Sequence, residues 1–516
     1  TITFTLAGMQ TVTRQALVQL NQDTVVDASL GIQGVAETVN VTATVSLIER
    51  DSASLKSGVS NEQIMSLPVG QEYRDLLKLI PGVQYSQDTV RGPSAGGSGQ
   101  DNVYNFDGAN VTLPLFGTLS AEPSSHDIAQ VTTVRGGARA VDFDRSGGFS
   151  IDSVSKSGTN RFTGELSWQL STSNMVAALQ RTSASRYEQD RNWFTVNAGG
   201  PVIPNKLNFY GSYYRPQNAR DNRANKYGEL PEYERVRNEG FGKLTFTPTS
   251  SVLLNVSYRD SHRLDTSDLF ASNASATTGT GNEAWQKIIS AEGSWVINSR
   301  SHFTFKFSDY VNETQGRPDN IANVSASTVV GTRLDVTRLD QLGLLTVPAP
   351  VAGQTAFNEF VQPLIDRYGY VENGVKVGGG TVGYGTTFDE DNFFRNAGQF
   401  AYNLSVGGAI KHDLHAGYQY YKDAEDLIRS SNGWGSLTVP GGRLFFNNTP
   451  IFYTAAFQQQ GLGLVPTIHS EYRSQSVELN DTIRWNNWTF NAGVLASNDS
   501  LYGQGLQEDA SKPLTG

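Results

Sequence analysis

The chain has 516 residues, with 40 Lys and Arg against 50 Asp and Glu, a net charge of -10 and no cysteine. This balance gives nucleic acid no electrostatic hold as a partner, and the lack of cysteine excludes a disulfide scaffold, a thiolate metal site and a Cys nucleophile. A content of 52 glycines, 25 Phe, 21 Tyr and 7 Trp, with only 18 prolines and 3 methionines, suits a mainly β protein with many turns.

Residues 1–36 read as short strands, ITFTLAG (2–8), RQALVQL (14–20) and TVVDASL (24–30), which look like the tail of a small β-sandwich. Residues 37–60 are polar and linker-like. Ser60-Asn61-Glu62 then opens a helical piece carrying Ile64, Met65 and Leu67, which Pro68 ends. Tyr73, Leu76, Leu77 and Ile80 follow at helical spacing up to Pro81-Gly82. The Gly/Ser-rich stretch 86–100 reads as an exposed loop. Strand-like pieces at 102–106 and 128–134 flank a second loop, 107–125. Residues 45–158 together have the size and pattern of an α+β domain.

From Arg161 onward the pattern alternates with period two. Phe303, Phe305 and Phe307 share one face, with His302, Thr304, Lys306 and Ser308 on the other; Val252, Leu254, Val256 and Tyr258 oppose Asn255, Ser257 and Arg259. Short connections (201–206, 248–251, 298–301, 409–413, 486–487) alternate with long ones (173–189, 217–232, 266–282, 316–387, 424–470). That rhythm puts turns at one end of a sheet and large loops at the other, as in outer-membrane barrels, whose mean hydropathy (-0.36 here) is unremarkable because lipid-facing and lumen-facing residues alternate. Tyr210, Tyr213, Tyr214, Tyr310, Phe393, Phe394, Tyr420 and Tyr421 are expected to form interfacial girdles. About eleven strands follow residue 160. An odd count, a start at Thr1 and a polar end at Gly516 lead to the expectation that the chain is a piece of a larger barrel.

The junction 128–165 carries the strongest motif. Val134-Arg135-Gly136, Asp142-Phe143-Asp144-Arg145, Gly147-Gly148 and Lys156-Ser157-Gly158-Thr159-Asn160 resemble, in order and spacing, the end of the plug domain of TonB-dependent outer-membrane receptors. Ile64–Gly82, Asn102–Asn110 and Ala198–Gly211 resemble segments of the Oar-like branch, and residues 1–36 look like the end of the carboxypeptidase-regulatory-like sandwich that precedes such plugs. One departure is Asp144-Arg145, where relatives carry a Tyr-Gly or Phe-Gly before the arginine.

The resemblance implies a partial transmembrane antiparallel β-barrel of about eleven strands (159–516), an α+β plug (45–158) and a sandwich tail (1–36). It implies that Glu37-Thr38-Val39-Asn40-Val41-Thr42-Ala43, within 37–44, is a TonB box, an extended segment able to add as a strand to a periplasmic energy-transducing partner. The expected role is import of a scarce siderophore, oligosaccharide or peptide across the outer membrane, with lipid around the barrel; the alternative is an adhesion or secretion role at the surface. Arg91, Gln100, Tyr104, Phe106 and Phe116 are candidate ligand contacts. Arg135, Gly136, Arg145, Gly147, Gly148, Lys156 and Gly158 are junction residues, and loop 316–387 is a candidate lid with Gly378-Gly379-Gly380 as its hinge. The six histidines show no metal spacing, Arg135-Gly136-Gly137-Ala138 is no phosphate loop, and the sequence points to no catalytic site and no cofactor.

Overall fold

The computed structural model describes residues 2–5, 11–14, 55–67, 73–86, 92–95, 97–135, 147–176, 188–322, 338–439, 445–446, 449–450, 454–456, 459–460 and 467–503. At the start, β1 (Ile2–Phe4) pairs antiparallel with β2 (Val12–Arg14). Residues 15–54, which include the other two strands expected of a sandwich tail, lie outside the described residues.

The plug is a small sheet with three short helical pieces among its described residues. Strand β3 (Leu55–Ser60) leads into α1 (Asn61–Ser66), whose N-cap Ser60 and N3 residue Gln63 satisfy each other's backbone N–H groups in a capping box. The second helical piece is a 3-10 turn, Tyr73–Leu79, rather than an α-helix. Its tighter winding places Tyr73, Leu76 and Leu77 in the core, with the Tyr73 hydroxyl 2.8 Å from Ser153 Oγ, and Gly82 ends the segment at a φ of 75°. Strands β4 (Val103–Phe106), β5 (Ala109–Asn110), β6 (Ile128–Arg135) and β7 (Phe149–Ser155) complete a five-stranded sheet in the order β3-β6-β7-β4-β5.

The wall is a single antiparallel sheet of consecutive neighbours: β8 (Thr163–Ser171), β9 (Gln189–Ile203), β10 (Leu207–Arg220), β11 (Tyr233–Thr249), β12 (Val252–Thr266), β13 (Thr280–Asn298), β14 (Ser301–Pro318), β19 (Thr387–Gly407), β20 (Ile410–Ser431), β26 (Ile468–Trp485) and β27 (Trp488–Gly503). These are the eleven expected strands, and among the described residues β8 and β27 are its two open edges. The expected turns and loops alternate along the sheet, but the strands run further towards the loops than the sequence pattern showed. Residues 217–220, 316–318 and 424–431, read as loop, are paired strand. A span of about 9–11 residues crosses a bilayer. β20 has 22 residues, so a good part of it stands clear of the hydrocarbon. There the need for an apolar outer face lapses, and the sequence signal with it.

Alternation settles which face is which. Asn255, Ser257, Arg259 and Ser261 of β12 are buried, whereas Val256 and Tyr258 between them are exposed. The polar face therefore points inward onto the plug. This corrects half of the expected girdle: Tyr210, Tyr214, Tyr310 and Phe393 are buried against the interior, not set in lipid. The outer belt at the turn rim is made instead by Phe162, Phe246, Trp295, Trp485 and Trp488, all exposed beside the short turns. Strand-end position alone cannot separate the two classes; only the side of the pleat can.

The plug hands the chain to the wall through a close approach. A Cβ on Gly158 would lie 2.0 Å from the Phe209 carbonyl oxygen, while one on Gly240 of β11 would meet nothing within 4 Å. We expect Gly158→Ala to destabilise the junction by about 1–3 kcal/mol, the usual cost of overpacking. On heat-modifiability gels its folded band should be lost several degrees lower than the parent's, with Gly240→Ala unchanged. Equal behaviour of the two variants would refute the close-approach account.

Candidate functional site: the plug–wall interface and the loop cap

The plug and wall share one core. Tyr210, Phe241, Ile288 and Tyr310 of the wall cluster with Tyr104, Phe106, Ile128, Val131, Phe149 and Ile151 of the plug. What registers the two parts is a set of buried polar contacts set into that core.

The first lies at the tight turn between β4 and β5. Asp107 adopts a φ of 46° and Gly108 one of 77°, so the Asp107 carboxylate folds back onto β7. It accepts from Ser155 N at 2.9 Å and Ser155 Oγ at 2.6 Å, and Lys243 of β11 donates to it at 3.1 Å. Lys243 and Asp107 are both buried, and Ser290 of β13 donates to the Asp107 carbonyl. The second contact sits where a short 3-10 turn, Ser125–Asp127, enters β6. Arg259 of β12 reaches Asp127 at 3.3 Å and is paired with Glu239 of β11, which also accepts from Ser124 N at 3.1 Å. Tyr210 donates to Asp127 at 3.0 Å, and the Arg259 guanidinium lies 4.5 Å over the Phe106 ring and 4.7 Å over Phe241. The third contact is Arg395 of β19, held by Asp423 of β20 through two bonds of 2.6 Å. It donates to the plug carbonyl of Thr112 at 2.9 Å. Nearby, Gln286 donates to the Ser120 carbonyl at 2.7 Å and Tyr310 bonds Ser120 Oγ.

Cross-strand register explains why these groups coincide. Phe241, Arg259, Ile288, Tyr310, Arg395 and Asp423 are successive partners across β11, β12, β13, β14, β19 and β20. They form one inward-facing row around the plug. The sequence reading placed Arg259 on a polar face and Tyr310 in a girdle, but assigned none of these wall residues to a contact with the plug. The available signal was a charged side chain in mid-strand on the face opposite the apolar one.

Of the residues singled out from sequence, Tyr104 and Phe106 are fully buried, Tyr104 edge-on to Phe149 at 5.8 Å and Phe106 to Phe241 at 5.7 Å. They support the apex from beneath. Gln100 and Phe116 are exposed at the apex, where Phe116 meets Phe393 of the wall edge-on at 5.5 Å. In the same tip Leu115 has a φ of 65°, a conformation costly for a bulky residue. Gly147 and Gly148 both donate to the Asp101 carbonyl, and Lys156 N donates to the Asp127 carbonyl at 2.6 Å. Arg135 ends β6, with its guanidinium against Gly82. Arg91, Gly136, Arg145 and residues 37–43 lie outside the described residues.

Above the wall the long loops fold into a cap. It contains β15 (Leu344–Thr346), α2 (Thr355–Tyr368), the hairpin β16 (Tyr370–Glu372) and β17 (Val375–Val377), β18 (Thr381–Gly383), β21 (Ser436–Thr438) and β24 (Thr454–Ala456). Three two-residue strands, β22 (Phe445–Phe446), β23 (Thr449–Pro450) and β25 (Gln459–Gln460), lie in the same loop region. Leu339, Leu345, Val347, Val361, Leu364, Ile365, Tyr368 and Val382 from one loop share a core with Trp434 and Leu437 from another, and Tyr227 from a third packs against it. Burial pushes the Tyr227 hydroxyl up to about 12, so it stays protonated and donates to the Tyr368 carbonyl at 2.9 Å. The glycine triplet is fixed rather than free: Gly379 N and the Gly380 carbonyl pair with Val347, and a Cβ on Gly378 would strike the Pro348 oxygen at 1.8 Å. In this conformation the triplet packs inside the cap. Among the described residues, no group of three His, Asp or Glu could hold a metal ion.

Two outcomes test this description. Lys243→Met leaves the Asp107 carboxylate buried without its cation, a loss of about 3 kcal/mol or more, or roughly a hundredfold in an opening equilibrium. Amide hydrogen exchange of β7 should accelerate by that factor, and unchanged exchange would show that the pair does not hold the plug. Trp434→Ala should cost the cap about 3–5 kcal/mol. Pulse proteolysis should then cut within 338–383 while the wall still runs as a folded band.

No protein-family model matches the chain. It is similar to the TonB-dependent transporter Oar of Myxococcus xanthus, 25% identical over 211 residues that cover 38% of this chain and 20% of that protein. Its fold is similar to that of the outer membrane transporter YddB from Escherichia coli, with a TM-score of 0.62 and 14% identity, over 86% of this chain and 56% of YddB. It is likewise similar to the ferric enterobactin receptor PfeA from Pseudomonas aeruginosa, with a TM-score of 0.53 and 12% identity, over 87% of this chain and 60% of PfeA. The chain thus spans less than two thirds of each of these proteins. A plug clamped inside an antiparallel strand wall, together with these likenesses, gives the chain the plug-and-barrel fold of the TonB-dependent outer-membrane receptors.

Proposed function

We propose that this chain is the plug, residues 45–158, and part of the barrel, residues 159–516, of an outer-membrane receptor that imports a scarce ligand. The observation that carries this reading is the polar clamp between plug and wall. A plug meant only to seal would gain most from apolar packing. Here Lys243 and Arg259 bind it through ion pairs and Arg395 through a charged hydrogen bond to a carbonyl, contacts that depend on geometry and give up most of their energy once one partner shifts. Ligand arrival at the apex tip 113–117 would disturb the contact beside it, Arg395 on the Thr112 carbonyl. A pull on the chain before β3 would act on the β3–β6 edge of the plug.

On this reading residues 37–43 are the TonB box and the partner is an energy-transducing complex in the periplasm. Val39→Pro with Val41→Pro removes two backbone donors from any added strand. The purified chain in nanodiscs should capture the periplasmic domain of a TonB-type protein in a pull-down, and the double proline variant should lose at least tenfold of that capture. Equal capture by both would refute coupling through this segment and turn attention to a surface role in adhesion or secretion.

A further inference from the structure

The inward row just beyond the plug is strongly charged, and the clamp does not use it. Moving along β12 towards the loops, Ser261 pairs across to Glu239, the last wall carboxylate seen touching the plug. The next inward position pairs Arg263 with Arg237, and the one after pairs Asp265 with Arg235. Three guanidiniums therefore stand side by side on two strands.

Their anchoring is built from below. Asp265 is only 1% exposed and takes both arms of Arg235 at 2.9 Å, while Arg263 Nε stands 3.6 Å from the same carboxylate. Arg263 Nε is buried and has no hydrogen-bond partner. Arg237 is 3.8 Å from Glu239, which already pairs with Arg259. Asp127, Glu239 and Asp265 are set among the four guanidiniums of Arg235, Arg237, Arg259 and Arg263. Aromatic rings hold the planes in place: Arg237 lies 5.2 Å over Tyr214, and Arg235 lies 5.8 Å over the buried Tyr233. Arg235 and Arg263 keep 44% and 38% of their side chains open and face the space above the plug, while Arg237, at 13%, backs them.

Further along the same wall stands a group of carboxylates. The Arg263 row continues through the small residues Ala284 and Thr314 to Asp391, three strands or roughly 14 Å away. Asp391 lies against Glu425, with Asp389 one inward position further out and paired with Arg429 at 2.7 Å. An anion entering this space is drawn to the guanidinium side.

We propose that Arg235, Arg237 and Arg263 form an oxyanion subsite above the plug, so that the imported ligand bears a carboxylate or phosphoryl group and is not a neutral sugar. Planar guanidinium forks match such groups through paired N–H bonds. The proposal rests on the uptake reading and adds the chemical class of the cargo.

The test is titration calorimetry on the chain in nanodiscs with four probes: citrate, inorganic phosphate, and tetra-alanine as the free acid and as its amide. We expect at least one oxyanion probe to bind, and to bind at least tenfold more weakly to Arg263→Gln. Arg263→Lys, which keeps the charge, should recover part of the loss. Preference for the free acid over the amide identifies a peptide carboxylate; binding of citrate or phosphate alone identifies a small polyacid or a phosphoryl group. A heat-modified band equal to the parent's confirms that the variants are folded. The proposal is overturned if no oxyanion binds, or if the glutamine variant binds as tightly as the parent. Capture of the TonB domain is read separately, so loss of the subsite with capture intact refutes the cargo class alone.

Discussion

An ion inside a narrow protein interior must find a counter-ion or hydrogen-bond donors there, because lost hydration costs several kcal/mol per charge. This constraint organises the molecule. The plug brings carboxylates at Asp107 and Asp127 and open carbonyls at Asn110 and Thr112; the wall brings Lys243, Arg259 and Arg395. Lys243 finds its ion-pair partner in the plug, while Arg259 and Arg395 hold the wall carboxylates Glu239 and Asp423 as well as their plug contacts. Correct seating brings Asp107 to Lys243, Asp127 to Arg259 and the Thr112 carbonyl to Arg395 together, and a plug shifted by one strand or one residue would lose several of these contacts at once.

Apolar packing and polar pairing divide the work. The shared cluster of aromatic and aliphatic residues supplies non-directional attraction. The ion pairs supply register and make the seated state discrete. The arginine row beyond the plug follows another rule. Its guanidiniums are anchored from behind by Asp265 and steadied by tyrosine faces, with their forks left partly open. One strand pair therefore carries both a closed clamp and, two residues further along, an open cationic surface.

Much of the architecture is legible in the sequence, because membrane walls repeat a simple alternation. The strand count, the short turns, the helix start at Ser60 and the polar face containing Arg259 all follow from local pattern. Three things do not. Whether Tyr310 or Phe393 faces lipid or plug depends on the side of the pleat, and a strand-end rule ignores it. Strand extensions such as 424–431 leave the hydrocarbon and lose the apolar outer face that would reveal them. The partners of Lys243 and Arg395 lie 136 and 283 residues away in sequence, and no spacing rule connects them. The cap is hidden for the same reason: its core is assembled from separate loops, each of which reads alone as irregular.

That common core has an evolutionary consequence. Because Trp434 and Leu437 complete a hydrophobic cluster begun by Leu345 and Leu364, neither loop can be exchanged or shortened without exposing the other's apolar side chains. Diversification of this outer surface is then concerted within the cap and free only at its edge. The hairpin β16–β17, turning through Asn373 and Gly374 with Val371 and Val375 exposed, is such an edge. Sequence change in the cap should concentrate there, leaving its packed core unchanged.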